Sequence, residues 1–488
     1  PFALRNMNHR IIQALCVASL TLGATSCNDF LDVQPKGELT QDVQFQRTQG
    51  YYDAMYGVYG TMAAKKLYGE NLSYGFLDKI GQMFGYLNTT NNDTEILNYD
   101  YTNNTVRSTI DNIWTSQYQA ISYVNNVLGN LDQLNSSDES LRLVRGEAYG
   151  LRAFLHFDLL RLYCPDYRQQ PEAQYGLPYS DAFNLENKTV YTLKGTYERI
   201  LGDLDKAEEY LHNDTTMAAV EGRESEYDFN RPRQFNLYAV YATKARVYWS
   251  MGDYTKAADY ARRVINAKRN FALAASTQFN DVRRFPAKGE MIFGLYNNGL
   301  SQSIYNTFFG TVQASGNFTE ARQDLDKVYE TSSFASDNTD VRFAAFYRQN
   351  GSTFTFQRLI NSEGEIKNAP VEGVTLLRLP EMYYILAESI YDTDKAGALA
   401  ALNAVRTSRG LKALAADDAK LLNRESFEKE LMAERMREMP GEGQVFFSLK
   451  HFNRSFTDIR GRKTIQPEER IFVLPRPERE LEFGNKQQ

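Results

Sequence analysis

The stretch YATKARVYWSMGDYTKAADYARRVI, residues 241 to 265, constrains the fold of this chain more than any other. Small residues Ala245, Ala257 and Ala261, aromatics Tyr248 and Tyr254, and the turn Gly252-Asp253 stand at the spacings of a tetratricopeptide helix pair. Small side chains let two antiparallel helices approach closely, and the aromatics fill the gap to the next pair. Degenerate copies flank it: IWTSQYQAISYVNNVLGNLDQL at 113 to 134, a helix over 144 to 163 followed by TYERILGDLDKAEEYL, and LPEMYYILAESI followed by AALNAVRTSRGL. Pro380 occupies a helix first turn, where a missing N–H costs nothing. The predicted fold is all-α, a tetratricopeptide-like helix-pair superhelix forming a short α-solenoid.

In LVRGEAYGLRAFLHFDLLRLY the residues Val144, Ala148, Leu151, Leu155, Leu159 and Leu162 recur at steps of three and four, one apolar stripe of a packed helix. Arg145, Arg152 and His156 lie on the other side, and His156 reads as a histidine hydrogen-bonded between helices. Two regions break the pattern. Residues 68 to 104 and 291 to 319 are rich in Tyr, Asn, Gly and Thr, and loops this long inside a compact domain are functional or disordered. Their aromatic content argues against disorder. They mark insertions around 68–104 and 280–350.

Carbohydrate binding needs aromatic faces for sugar C–H surfaces and amide or carboxylate groups to bridge hydroxyls. Tyr74, Phe76, Asp78, Tyr86 and Asn88 supply that inventory in the first region, and Tyr296, Asn297, Asn298 and Tyr305 in the second. Trp114 and Trp249 fall inside helical repeats and read as core. Stacking is therefore left to tyrosine and phenylalanine, of which the chain has 32 and 29 against 2 tryptophans. That tyrosine content exceeds what a core needs, and the amphipathic ring suits interfaces.

Catalytic signatures are missing. There is no GxSxG elbow, HExxH, P-loop, CxxC or EF-hand loop, and the 4 histidines include no i,i+4 pair for zinc. No metal or cofactor is expected. A glycosidase-type carboxylate pair stays open, because such pairing is spatial; solvated helix faces are expected to hold most of the acidic residues. The net charge of -6, with no basic block, gives no footprint for nucleic acid.

At the N-terminus, Arg5 to Arg10 supply positive charge and Ile11 to Leu22 form an uncharged apolar run of signal-peptide length. A bilayer span needs ~20 apolar residues. Met7 is a candidate start, preceded by an upstream extension. Ala24, Thr25 and Ser26 are small residues directly before Cys27, and the stretch resembles the lipobox of bacterial lipoprotein signals, although Leu22 sits two positions outside the usual leucine. Residues 1–26 then form a lipoprotein signal, Cys27 is the lipid anchor, and 27–488 is a single domain. Several acyl chains would make the tether firm, since one holds only marginally. Cys16 leaves with the signal, and Cys164 remains as a buried apolar residue.

These features together resemble the SusD/RagB family of outer-membrane lipoproteins. The family's mature start, C-x-D-F-L-D-x-x-P, is matched by Cys27, Asp29, Phe30, Leu31, Asp32 and Pro35. EAYGLRAFLHFDLLRLY (147 to 163, with Arg152 and Ala153 at its centre) and LRLPEMYYILAE (377 to 388) are similar to family helices. AERMREMPGEGQVFFSLKH resembles a late family run at Glu434, Arg435, Glu438, Glu442, Gly443 and Leu449. VLPRPERELEF matches the closing motif through Leu474, Pro475, Pro477 and Glu480. Val445, Ser448 and His451 replace the usual Arg, Asp and Arg of the late run, which puts a local ion-pair network in doubt. The resemblance implies a non-catalytic protein on the cell surface of the outer membrane. Such a protein captures an oligosaccharide, or sometimes a peptide, for a partner SusC-like TonB-dependent transporter. Its repeats would face the transporter, and its loop and helix insertions would form the ligand face. The rival readings are an all-α glycosidase or lyase, and a protein-interaction scaffold with no small ligand.

Overall fold

The computed structural model describes residues 41–85, 93–133, 139–219, 221–283, 285, 287–300, 319–330, 340–359 and 373–483. The chain divides into two units, Pro1–Gly50 and Tyr51–Gln488. In the first, the described residues include the short helix Gln41–Gln44. The expected boundary at Cys27 lies outside the described residues.

The helical scaffold is the one read from the sequence. Its main helices are α1 (Thr48–Met62), α2 (Asn104–Asp132), α3 (Glu139–Tyr163), α4 (Leu193–Leu211), α5 (Leu237–Met251), α6 (Tyr254–Ile265), α7 (Leu379–Ile390), α8 (Lys395–Ser408), α9 (Arg424–Glu438) and α10 (Gln444–Phe452). From α2 to α8 each helix packs on the next in chain order, which is the contact pattern of a solenoid. Polar side chains set the starts: Asn103 accepts from the Thr105 and Val106 N–H groups, Asn236 from Ala239, Asp253 from Lys256, Asp394 from Gly397 and Asn423 from Ser426. Each satisfies donors that the first helical turn leaves open. Gly252 closes α5 in the left-handed region, φ 77°, and hands the chain straight to the Asp253 cap of α6. Pro380 stands in the first turn of α7.

Ala245, Ala257 and Ala261 are fully buried between α5 and α6, as their spacing requires. The two aromatics of that pair behave differently. Tyr254 Oη donates to Glu388 on α7 at 3.1 Å and so bridges to the next pair. Tyr248 is half-buried and stacks on Tyr260 of its own pair, ring centroids 5.8 Å apart. Helix α3 is buried on both sides because α2 and α4 flank it. Arg152, on the side opposite its apolar stripe, is clamped by Asp203 of α4 through two 2.7 Å bonds. A Cβ at Gly150 would fall 2.3 Å from the Phe235 ring, so α3 can run this close only with glycine there.

The second insertion is closed at its base by two antiparallel strands, β1 (Met291–Tyr296) and β5 (Gly373–Arg378), with Tyr296 opposite Gly373. Chain leaves the scaffold at the end of β1 and returns at β5, which runs directly into α7. Within it, β2 (Thr319–Ala321), β3 (Tyr347–Asn350) and β4 (Thr353–Phe356) form an antiparallel sheet in the order β2-β4-β3.

A buried ionic cluster ties this insertion to α8 and α9. Glu438 meets Arg409 at 2.9 Å, Arg342 at 3.1 Å and also Arg378; Glu434 meets Arg437 at 2.8 Å, Arg406 at 2.9 Å and Arg342 at 3.0 Å. Glu290 joins Arg378 and Arg409, and Glu442 joins Arg358 and Arg378. Burial would raise the Glu434 carboxyl, but Arg342, Arg437 and Arg406 hold it well below the carboxylate range. Two expectations meet this cluster. Glu290, Glu434, Glu438 and Glu442 are core rather than solvated face, exceptions to the expectation for most acidic residues. The ion pairs put in doubt at Val445, Ser448 and His451 are not made there by Arg, Asp and Arg, and the buried cluster is carried by other residues. Val445 is packed apolar core, Ser448 Oγ accepts from Arg435 at 3.4 Å, and His451 Nε2 reaches Glu388 at 2.8 Å.

Candidate functional site

From Tyr68 to Phe84 the first region is core, which corrects the reading of Tyr74, Phe76 and Asp78 as ligand-face residues. Tyr74 and Asp78 are fully buried and Phe76 is 3% exposed. The short helix Phe76–Ile80 presents Asp78 to the Pro440–Gly443 turn, where its carboxylate accepts from the Gly441 N–H and from Gly443 at 3.1 Å. The physical reason lies in the alternation of Tyr, Leu and Gly, which suits a tightly wound buried segment as well as a surface loop; the backbone donors at 441 and 443 select the former. Burial pushes the Asp78 carboxyl up to about 7, against the pull of those N–H groups and of Arg358. Glu320, at the start of the β2-β4-β3 sheet, is raised by burial to about 8 while accepting from the Gly85 N–H. Tyr86, Asn88, Tyr305 and Cys27 lie outside the described residues.

In the second region the chain emerges from the core at the end of β1. The inward residues Ile292, Phe293 and Leu295 fill the core, and Tyr296 emerges 45% exposed. Asn298 is exposed. Asn297 is half-buried, donating to the Ala63 carbonyl after α1 at 2.9 Å and accepting from the Gly299 N–H at 2.9 Å. Asn297 therefore shapes the turn, and Tyr296 and Asn298 are presented by it. Over the Tyr296 ring lies the Arg233 guanidinium, 4.9 Å from the centroid, a cation–π arrangement that fixes the ring's orientation.

Arg233 escaped the sequence reading. It belongs to the RPR turn Arg231–Arg233, whose two arginines part company: Arg231 is buried against Glu147 at 2.6 Å and Asp214 at 2.8 Å. The RPR triplet carries no local signal that separates the two, because a 3-10 turn has no period-two alternation. Glu147 also accepts from Tyr59 and Tyr227, at 2.7 and 2.6 Å. The Tyr227 ring stacks on Tyr52, centroids 4.1 Å apart at 6°, and meets Tyr56, which is 51% exposed. Glu147 thus gathers Tyr59, Tyr227 and Arg231, next but one in sequence to the Arg233 that covers Tyr296.

His156 is a core residue. Its Nδ1 faces the Arg152 carbonyl at 2.8 Å, its Nε2 accepts from the Ser180 N–H at 3.1 Å, and burial lowers it to about 3, so it is neutral. Trp114, Trp249 and Cys164 are buried, as read. Among the described residues, no group of three or more His, Cys, Asp and Glu side chains is arranged to hold a metal ion, and no helix is long and apolar enough to cross a membrane.

Comparison with known proteins covers nearly the whole described chain. Residues 29–249 match a family model described as starch-binding and associating with the outer membrane, and residues 246–470 match the SusD family model. The chain is 26% identical over 300 residues to SusD-like protein P2 of Formosa agariphila, covering 61% of this chain and 53% of that protein. It thus spans about half the length of that curated relative. A SusD superfamily protein from Bacteroides thetaiotaomicron superposes with a TM-score of 0.69 at 21% identity, covering 89% of this chain and 97% of its own. A SusD-like carbohydrate binding protein from Bacteroides vulgatus gives 0.66 at 18% identity, covering 84% of each chain.

Proposed function

Because this chain belongs to the SusD/RagB family, we propose that it is a lipid-anchored protein of the cell surface that binds an oligosaccharide at the Tyr296 surface. It passes the ligand, without catalysis, to a partner TonB-dependent outer-membrane transporter. The observation that carries the binding reading is the half-exposed Tyr296 ring, oriented by Arg233 and flanked by exposed Asn298 at the mouth of the second insertion. A rigid aromatic face beside amide and guanidinium donors is the inventory that sugar rings require, apolar C–H faces on one side and hydroxyls at the edge.

The non-catalytic reading is supported by where the two carboxyls raised furthest toward neutrality sit. A glycosidase acid must reach the scissile oxygen with a carboxyl tuned toward neutrality. Asp78 and Glu320 are tuned that way but are fully buried, beyond the reach of a polymer. The transporter reading is supported by the outer face of α3 to α6. There Tyr149 stacks on Tyr210 (6.0 Å) and Tyr248 on Tyr260 (5.8 Å), with Lys206, Lys256 and Arg263 over the rings. Tyrosine and arginine are the residues that protein interfaces favour.

Glycan-array binding of the purified chain, with product analysis of each bound glycan, tests the central claim. Binding without cleavage is expected; chain cleavage lost on substitution of a single carboxylate would replace the binding reading with an enzymatic one, and binding confined to peptides would move the ligand class. For the anchor, Cys27→Ala is expected to abolish fatty-acid labelling and to release the protein from the outer-membrane fraction, and unchanged fractionation refutes it.

A further inference from the structure

The closing motif LPRPERE forms one wall of a cavity of about 1060 Å³ that shares no lining residue with the Tyr296 surface. The opposite walls are the loop before α2 with its first turn, Tyr99 to Arg107, and the segment after α3, ending at Tyr175. Its size matches small-molecule clefts, roughly 300–1,000 Å³. The walls are held in place without a ligand. Lys450 donates to the carbonyls of Arg161, Cys164 and Phe472 at 2.6, 2.5 and 2.9 Å, and the Leu474 N–H donates to Leu162 at 2.8 Å, which pins the C-terminal segment to the end of α3.

The lining has three chemical parts. Tyr99, Tyr101 and Tyr163 spend their hydroxyls on the carbonyls of Ile80, Ile471 and Ile110, at 3.1, 2.8 and 2.6 Å, so what they offer the cavity is ring carbon. Tyr175 and Leu481 are 60% and 61% exposed, a large apolar area left in water at the same cavity. Gln170 and Gln174 add amides.

The third part is charge: the carboxylates Asp100, Glu469 and Glu478 and three arginines line the cavity, and one of those arginines has no carboxylate in contact among the described residues. Of the three lining arginines, Arg107 pairs with Asp111 at 2.9 Å and Arg470 with Glu468 at 2.5 Å. Arg476 stands in no ion pair among the described residues. Its hydrogen bonds go to neutral acceptors, the Gly176 carbonyl and the Cys164 thiol at 3.9 Å, and it is half-buried. A guanidinium taken partly out of water with Glu480 as an electrostatic neighbour but no carboxylate in contact keeps its planar fork open to an incoming anion. A carboxylate matches its planar fork in two parallel bonds.

We infer that this cavity is a second ligand site, taking a small ring-bearing carboxylate whose acid group pairs with Arg476 and whose ring lies on Tyr175. An acidic sugar and an aryl-alkyl acid share that chemistry. Glucuronate against glucose, and 3-phenylpropanoate against 3-phenylpropanol, separate the two sources when titrated calorimetrically into the full chain. At least one acid is expected to bind tenfold or more tighter than its neutral counterpart; preference for glucuronate assigns a sugar acid, and preference for phenylpropanoate an aryl acid. Arg476→Gln should erase the acid preference, and Tyr175→Ala, at an exposed position, should weaken the preferred acid several-fold. Both variants should keep the array-detected glycan binding, which separates failure here from failure of the Tyr296 site. Equal affinity for acid and neutral probes overturns the inference, as does an unchanged preference in folded Arg476→Gln. Should Arg476→Gln not fold, unchanged acid binding by Tyr175→Ala overturns it equally.

Discussion

The segment from Tyr68 to Phe84 and the end of β1 from Tyr296 to Asn298 share tyrosine and asparagine, yet one is core and the other is surface. The difference is made by what each meets. Asp78 finds two backbone donors at Gly441 and Gly443, and Tyr68 Oη finds Asp158 at 2.7 Å, so the first segment is drawn inward. At β1 the strand's alternation runs out at the insertion mouth, and only Asn297 is tied down, leaving Tyr296 and Asn298 outside. Aromatic and amide composition therefore marks a segment as able to serve either role, and hydrogen-bond partners from distant chain decide.

The contrast should be visible as opposite effects of similar substitutions. Tyr74→Ala empties a fully buried site and is expected to cost about 3–5 kcal/mol in urea unfolding, with glycan affinity unchanged in whatever fraction folds. A stable variant with lost glycan binding would reverse the assignment of that segment. The next effect is pH dependence. Asp78 is raised from 3.8 to about 7 and Glu320 from 4.5 to about 8, both by burial. The folded state thus holds these protons more tightly than the unfolded chain. Their contribution to stability is fully present below about pH 4 and is lost as pH rises through 7 and 8. Unfolding free energy should fall between pH 5 and pH 8, by up to roughly 3 kcal/mol for Asp78 over that range, and Asp78→Asn should flatten the slope. A wild-type profile that is level over that range contradicts it.

Smaller effects belong to the exposed end. Tyr296→Ala should weaken the array-identified glycan about tenfold, ~1.4 kcal/mol, with the unfolding midpoint nearly unmoved. Asn298→Ala should weaken it about two- to threefold, the worth of one solvent-exposed hydrogen bond. If Tyr296→Ala destabilises as much as Tyr74→Ala does, the two segments are not different in kind.

The amino-acid sequence by itself determined the solenoid. Alanines at helix-pair spacing, the Gly252-Asp253 turn, asparagine and aspartate caps and Pro380 are local devices, each acting within a few residues, and the helices formed where these stand. It also placed His156, Trp114, Trp249 and Cys164 in the core, and Tyr296 and Asn298 at an insertion mouth. Only the tertiary structure decided the fate of Tyr74, Phe76 and Asp78. It alone drew Arg342, Arg378, Arg409 and Glu438 into one buried cluster from four separate stretches, set Arg233 over Tyr296, and left Arg476 at a cavity wall hydrogen-bonded to neutral acceptors. Each of those outcomes depends on partners tens to hundreds of residues away. Periodicity and capping carry no information about which distant donor or charge will arrive.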